Sequence, residues 1–100
     1  MKKIYSIEEI RSLISEHKNE LNENFHVSNF LLFGSYAKNE QTENSDIDLL
    51  VNFQKPIDMF KFMDLQEYLS ELFGKKVDLG TPNSLKPYIK SIILGEAISL

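Results

Sequence analysis

Phe30-Leu31-Leu32-Phe33-Gly34-Ser35 and, ten residues later, Asp46-Ile47-Asp48-Leu49-Leu50-Val51 frame the stretch of this chain that decides its fold. Each half contains a nearly continuous apolar run, the pattern of a strand covered on both faces. Strands are therefore expected over Phe25–Phe33 and Asp46–Phe53. Yet the second run opens with two aspartates, where burying charge is costly. The first ends on Gly34-Ser35, where the chain must turn sharply. Ser35 to Lys38 is expected as a short helical turn and Asn39 to Asn44 as a polar loop.

Working outward, Ser6 and Glu9 have the S-x-x-E spacing of a capping box. Ile7, Ile10, Leu13, Ile14 and Leu21 recur at helical spacing, so one helix is expected from Ser6 to about Leu21. Downstream, Pro56 fits the first turn of a second helix, which would run to Phe73 and stop at Gly74. Lys75 to Leu79 reads as a third strand, closed by Gly80-Thr81-Pro82. Ser84 can cap a last helix, with Pro87 in its first turn, reaching about Leu94 and ended by Gly95. This order predicts an α/β (α+β) fold, a small sheet with helices packed on it.

Side chains alternate along a strand, so Asp46 and Asp48 share one face while Ile47, Leu49 and Val51 face the core. Their Cα atoms would lie about 6.7 Å apart. Carboxylates that close resist joint ionisation. A hard divalent cation reverses that penalty, because it prefers carboxylate and phosphate oxygens. Asp78, set among apolar neighbours in Val77-Asp78-Leu79, can join them if the third strand lies beside the second. Three carboxylates could hold two metal ions, the clamp used in phosphoryl transfer. Taken alone, Asp-x-Asp has a second reading, a solvated strand end. Gly34 lacks a Cβ and lets its backbone approach a ligand, and Ser35 offers a hydroxyl and an N–H suited to phosphate. A plain turn is the alternative there. Asp58 and Asp64 fall within the long helix and read as solvated.

The bulk of the chain narrows the classes. One hundred residues make one domain with room for one core. The net charge of −4 carries no basic stripe of the kind expected for direct nucleic-acid binding. There is no cysteine, so neither a disulfide framework nor a thiolate metal site is available. No apolar run approaches the roughly 18 residues of a membrane span. A soluble, cytoplasmic protein without membrane contact is the expectation.

Gly34-Ser35, ten residues, then Asp46-Ile47-Asp48 matches the G-S-x10-D-x-D signature of the polymerase-beta-like nucleotidyltransferases. The string LLFGSYAKNEQTENSDIDLLVNF resembles the minimal nucleotidyltransferases, and the likeness extends over essentially the whole chain. It implies a mixed three-stranded sheet of order 1-2-3. It also implies transfer of a nucleoside monophosphate, AMP from ATP as substrate, to a hydroxyl. Asp46 and Asp48 would then bind two Mg2+ ions. Asp78 would ligate the catalytic ion and favour deprotonation of the acceptor. Gly34 and Ser35, with Lys38, would hold the phosphates. Lys38-Asn39 stands where the family often has Arg-Gly. Asn tolerates the left-handed conformation, whereas Lys lacks the bidentate fork of Arg. Arg11 is the only arginine, so a further phosphate clamp would come from Lys75, Lys76 or a partner.

Chains of this size resemble the antitoxin half of toxin–antitoxin pairs whose partner is a HEPN-type ribonuclease. That resemblance implies adenylylation of a tyrosine on the toxin and an oligomer with the partner. A small-molecule nucleotidyltransferase and a non-catalytic antitoxin that neutralises by contact are the alternatives. The helix containing Met59, Phe60, Phe62 and Met63 is too apolar for one buried face, and its surplus around Phe60 and Phe62 is a candidate docking surface. His17 and His26, the latter placed in a strand, read as packing or surface residues. Tyr36 is expected either to stack on a base or to lie on the surface.

Overall fold

Ser6 opens the first helix as its spacing with Glu9 predicts. Its hydroxyl accepts from the Glu9 N–H, and its own N–H donates to Glu9 Oε1, both at 3.1 Å. The computed structural model describes residues 4–100. The expected single helix is two: α1 (Ile7–Glu16) and α2 (Lys18–Phe25). The break is at His17 (φ −107°, ψ 13°), whose ring Nδ1 hydrogen-bonds the Leu13 carbonyl at 2.9 Å. That carbonyl would otherwise receive the i+4 backbone N–H, so the side chain competes with the helix ladder. Phe25 closes α2 rather than opening a strand. His26 is its left-handed cap (φ 57°) and not a strand residue.

Strands β1 (Val27–Phe33) and β2 (Ile47–Phe53) are antiparallel, and β3 (Val77–Gly80) runs parallel to β2. The α3 helix (Met59–Phe73) makes the crossover between β2 and β3. It starts three residues later than Pro56 predicts, because Asp58 is its N-cap and accepts from the Lys61 N–H at 2.8 Å. Asp58 is therefore a cap and not a residue of the helix body. Gly74 ends α3 in the left-handed region (φ 66°), as expected.

A single 3-10 turn (Pro82–Ser84) precedes α4 (Pro87–Glu96). Ser84 does not cap α4, since its hydroxyl turns back to the Thr81 carbonyl at 2.7 Å. Lys86 precedes Pro87 in the extended conformation that a following proline imposes. Gly95 lies within α4 rather than ending it.

The sheet has four strands in the order β3-β2-β1-β4. The expected neighbours 1-2-3 are kept, and β4 (Ile98–Ser99) adds to the free edge of β1. Arg11 donates to the Ser99 carbonyl at 3.0 Å and so ties α1 to this short strand. Ile47, Leu49 and Val51 are each at most 1% exposed, packed in one core with Ile10, Leu65 and Leu69. Burial on that scale contributes about 1.5–3 kcal/mol per side chain. A one-residue slip of β2 would exchange those residues for Asp48, so the core fixes the face on which the carboxylate stands.

Candidate active site

Asp48 lies on β2 directly beside Asp78 of β3 in the parallel register, with Phe33 opposite on β1. Registered parallel residues project from the same face, so the two carboxylates are neighbours. Asp46 immediately precedes the strand and is half-exposed. Burial pushes the Asp48 carboxyl up from 3.8 to about 6, helped by the charges of Asp78 and Asp46 and by a hydrogen bond with Asp78, against a smaller opposing effect of Lys76. Three negative groups thus act on one another at this end of the sheet.

Asp78 is held in place from behind. The β3 strand is at the sheet edge, and side chains of α3 take up its outward N–H groups. Ser70 Oγ accepts from the Val77 N–H at 3.1 Å, and Gln66 Oε1 from the Leu79 N–H at 3.4 Å.

Gly34 ends β1 with φ 73°, a conformation that L side chains rarely adopt. A Cβ there would overlap Asp48 Oδ2. The missing side chain is therefore required by the Asp48 carboxylate, which fills the space a Cβ would take. After Gly34 the chain winds into a tight turn: the Lys38 N–H donates to the Gly34 carbonyl at 3.2 Å and the Glu40 N–H to the Ser35 carbonyl at 2.9 Å. Asn39 takes the left-handed conformation (φ 58°) expected where the family often has Gly.

Tyr36 is neither a surface group nor a base-stacking platform. It is fully buried, and its hydroxyl accepts from Lys75 Nζ at 2.9 Å. Its ring anchors the turn in the core. A tyrosine between Gly34-Ser35 and Ala37-Lys38, at the head of a polar loop, carries no sequence signal of this burial. Lys38 points to Glu96 at the end of α4 (3.6 Å). Lys76 Nζ lies 3.6 Å from Asp78 Oδ1 and 3.9 Å from Asp46 Oδ2. The i, i+2 spacing of Lys76 and Asp78 hints at their contact, whereas that with Asp46 depends on β2 and β3 being paired.

Among the described residues, no three Asp, Glu or His side chains converge tightly enough to grip a cation as they stand. Asp46 and Asp78 are instead both turned towards Lys76. The donor set nevertheless fits a hard divalent cation. It offers only oxygen, from adjacent strands, and burial followed by mutual repulsion raises Asp48, a repulsion such a cation would relieve. A separate hollow of about 600 Å³, lined by Arg11, Ile14, Lys18, Asn22 and Phe30, contains none of these residues.

Several large apolar side chains are exposed. Met59, Phe60 and Met63 project from the start of α3, and Tyr88 and Ile92 from α4. Phe62, expected to share that surface, packs its ring against Phe53 at 6.3 Å. The start of α3 follows the end of β2 opposite to Asp48, and about 17 Å of strand separates Asp48 from Phe53. Among the described residues no helix is long and apolar enough to cross a membrane.

A family model described as nucleotidyltransferase domain matches residues 14–100. Protein adenylyltransferase MntA of Thermococcus cleftensis is 43% identical over 93 residues, spanning 93% of this chain and 94% of its own. A solved structure provisionally described as a minimal nucleotidyltransferase superposes with a TM-score of 0.78 at 31% identity, covering 96% of this chain and 97% of that one. Two toxin–antitoxin structures share the fold. One, solved with AMP-PNP, has a TM-score of 0.70 at 24% identity and covers 85% of this chain and 69% of that one. The other is a tri-AMPylated Shewanella oneidensis HEPN toxin with its MNT antitoxin, with a TM-score of 0.64 at 20% identity over 89% and 69%. At these last two identities the likeness is one of fold.

Proposed function

The chain belongs to the nucleotidyltransferase domain family, and we propose that it transfers AMP from ATP to a tyrosine hydroxyl of a HEPN-type toxin, for which it is the antitoxin. The observation that carries this reading is the packing of the Gly34 turn against Asp48, with Asp48 in register with Asp78. A phosphate-binding turn and a carboxylate pair meet at one end of one sheet. The identity to a protein adenylyltransferase supports AMP and a protein acceptor. The AMP-PNP and HEPN toxin assemblies that share the fold support ATP and the kind of partner.

Asp46, Asp48 and Asp78 would hold the divalent cations, two Mg2+ ions in this reading. When bound, such ions neutralise the triphosphate and acidify an attacking hydroxyl. Gly34 lets the backbone approach the beta and gamma phosphates, and Ser35 donates to them from its N–H and hydroxyl. Lys38, on the same turn, would add positive charge on leaving Glu96, 3.6 Å from its ammonium. The acceptor oxygen forms a bond to the alpha phosphorus as the bond from that phosphorus to the beta-phosphate oxygen breaks. Pyrophosphate leaves with the bonding electrons, and the hydroxyl proton passes to the Asp78 carboxylate or solvent. A docked partner brings its hydroxyl in as an effectively intramolecular reactant.

The test uses ATP labelled at the alpha or the gamma phosphate, incubated with magnesium, this chain and a HEPN-type protein from the same source. Label on the partner from the alpha position alone is the expected result. Label from the gamma position, or none from either, contradicts the proposal.

A further inference from the structure

The Lys76 ammonium bridges two of the three aspartates, 3.9 Å from Asp46 and 3.6 Å from Asp78. Its backbone is fixed beside them, because the Lys76 carbonyl accepts from the Ile47 N–H at 3.0 Å, and Ile47 stands between Asp46 and Asp48. Its side chain is not fixed: it is 67% exposed, on a flexible four-carbon stem. Among the described residues, three other cations are engaged elsewhere. Lys75 donates to Tyr36 and Glu43, Lys38 pairs with Glu96, and Arg11 holds Ser99. Lys76 thus faces the carboxylates from a pinned backbone with a movable charge.

We propose that Lys76 is a resident counter-ion of the site, which Asp46 and Asp78 exchange for the divalent cation and which then engages the triphosphate. The inference rests on the nucleotidyltransferase reading of the three aspartates. Exposed ion pairs of this kind are weak, so they restrain the carboxylates without blocking a doubly charged competitor that prefers oxygen donors. Once released, the ammonium lies beside the place where the phosphates would arrive. Lysine binds phosphate as a point charge and needs no fixed fork to do so. The exchange therefore supplies the phosphate cation that the chain lacks in arginine form.

Two binding measurements on the chain by itself test the exchange without reading turnover. Manganese affinity is measured alone by electron paramagnetic resonance, and AMP-PNP affinity by calorimetry at saturating manganese. Lys76→Gln is expected to tighten manganese by about three- to fivefold and to weaken AMP-PNP by about tenfold. Lys55→Gln, beyond the opposite end of β2, sets the general effect of removing one charge. Lys76→Arg keeps the charge and should match the wild type for manganese. Manganese affinity in Lys76→Gln no greater than in Lys55→Gln overturns the exchange, as does unchanged AMP-PNP affinity or an arginine variant that behaves like glutamine. Manganese binding absent from the wild type, even with AMP-PNP, overturns both the exchange and the metal reading of the aspartates.

Discussion

Gly34 and Asp48 stand so close that a Cβ on the glycine would overlap Asp48 Oδ2 and lie 3.1 Å from its Cγ. The end of one strand has given up its side chain to the carboxylate of the next. The Gly34 turn and the Asp48–Asp78 pair are therefore one packed unit, and a change in either is felt by the other.

Gly34→Ala should destabilise the chain by at least about 1–2 kcal/mol, since alanine at φ 73° is strained even before the overlap. In an Asp48→Ala background the cost should shrink towards the backbone strain alone, because the carboxylate is gone. Urea denaturation of the four chains of this cycle measures the coupling. Strict additivity would mean that the two residues do not compete for space.

Stability should depend on pH through Asp48. Its carboxyl titrates near 6 in the fold against 3.8 for an ordinary aspartate. Between those values the folded chain keeps a proton that the unfolded chain has lost, so the contribution of this group falls as pH rises through that window and stays low above it. Asp48→Asn should then be the more stable chain above pH 6, by about 1 kcal/mol after solvent screening of this half-exposed group. The gap should close as the pH drops to the ordinary aspartate range. Thermal unfolding in chelator across that range checks the sign, and a gap that widens towards acid contradicts it.

Tyr36→Phe should cost about 1 kcal/mol for the lost bond to Lys75 and leave AMP-PNP affinity unchanged. Tyr36→Ala should cost about 3–5 kcal/mol, because a fully buried ring is removed. Weaker nucleotide binding by the phenylalanine variant at unchanged stability would give the hydroxyl a role at the site that its burial argues against.

Asp58→Ala should lower stability by about 0.5–2 kcal/mol through loss of the α3 N-cap, with metal-dependent nucleotide binding intact. Asp48→Asn should do the reverse, keeping the fold and losing that binding. Calorimetry with AMP-PNP and magnesium separates the two aspartates, and equal binding by wild type and Asp48→Asn would remove the metal platform.

The parts of the fold legible in the sequence are those where pattern and chemistry agree. The run from Phe30 to Val51 gave both central strands and the face of Asp48, because alternation leaves one arrangement that buries Ile47, Leu49 and Val51, whereas Asp46 lies just before the strand. What stayed hidden depended on single side-chain bonds or on distant partners. His17 breaks a helix by taking one carbonyl. Asp58 moves a helix start by capping it. The Ile98–Ser99 strand is too short to carry a period and exists through pairing with β1 and the Arg11 contact. At the site, the residue types and their spacing were readable, whereas the contact of Lys76 with Asp46 and Asp78 required β2 and β3 to be set side by side.

The most direct test of the central claim is the intact mass of a HEPN-type protein from the same source, the proposed partner, after incubation with ATP, magnesium and this chain. The partner should gain whole AMP units on tyrosine, and the gain should vanish when the chain carries Asp46→Asn with Asp48→Asn. A partner that is inhibited in a stable complex yet keeps its original mass would contradict AMP transfer and leave neutralisation to contact alone.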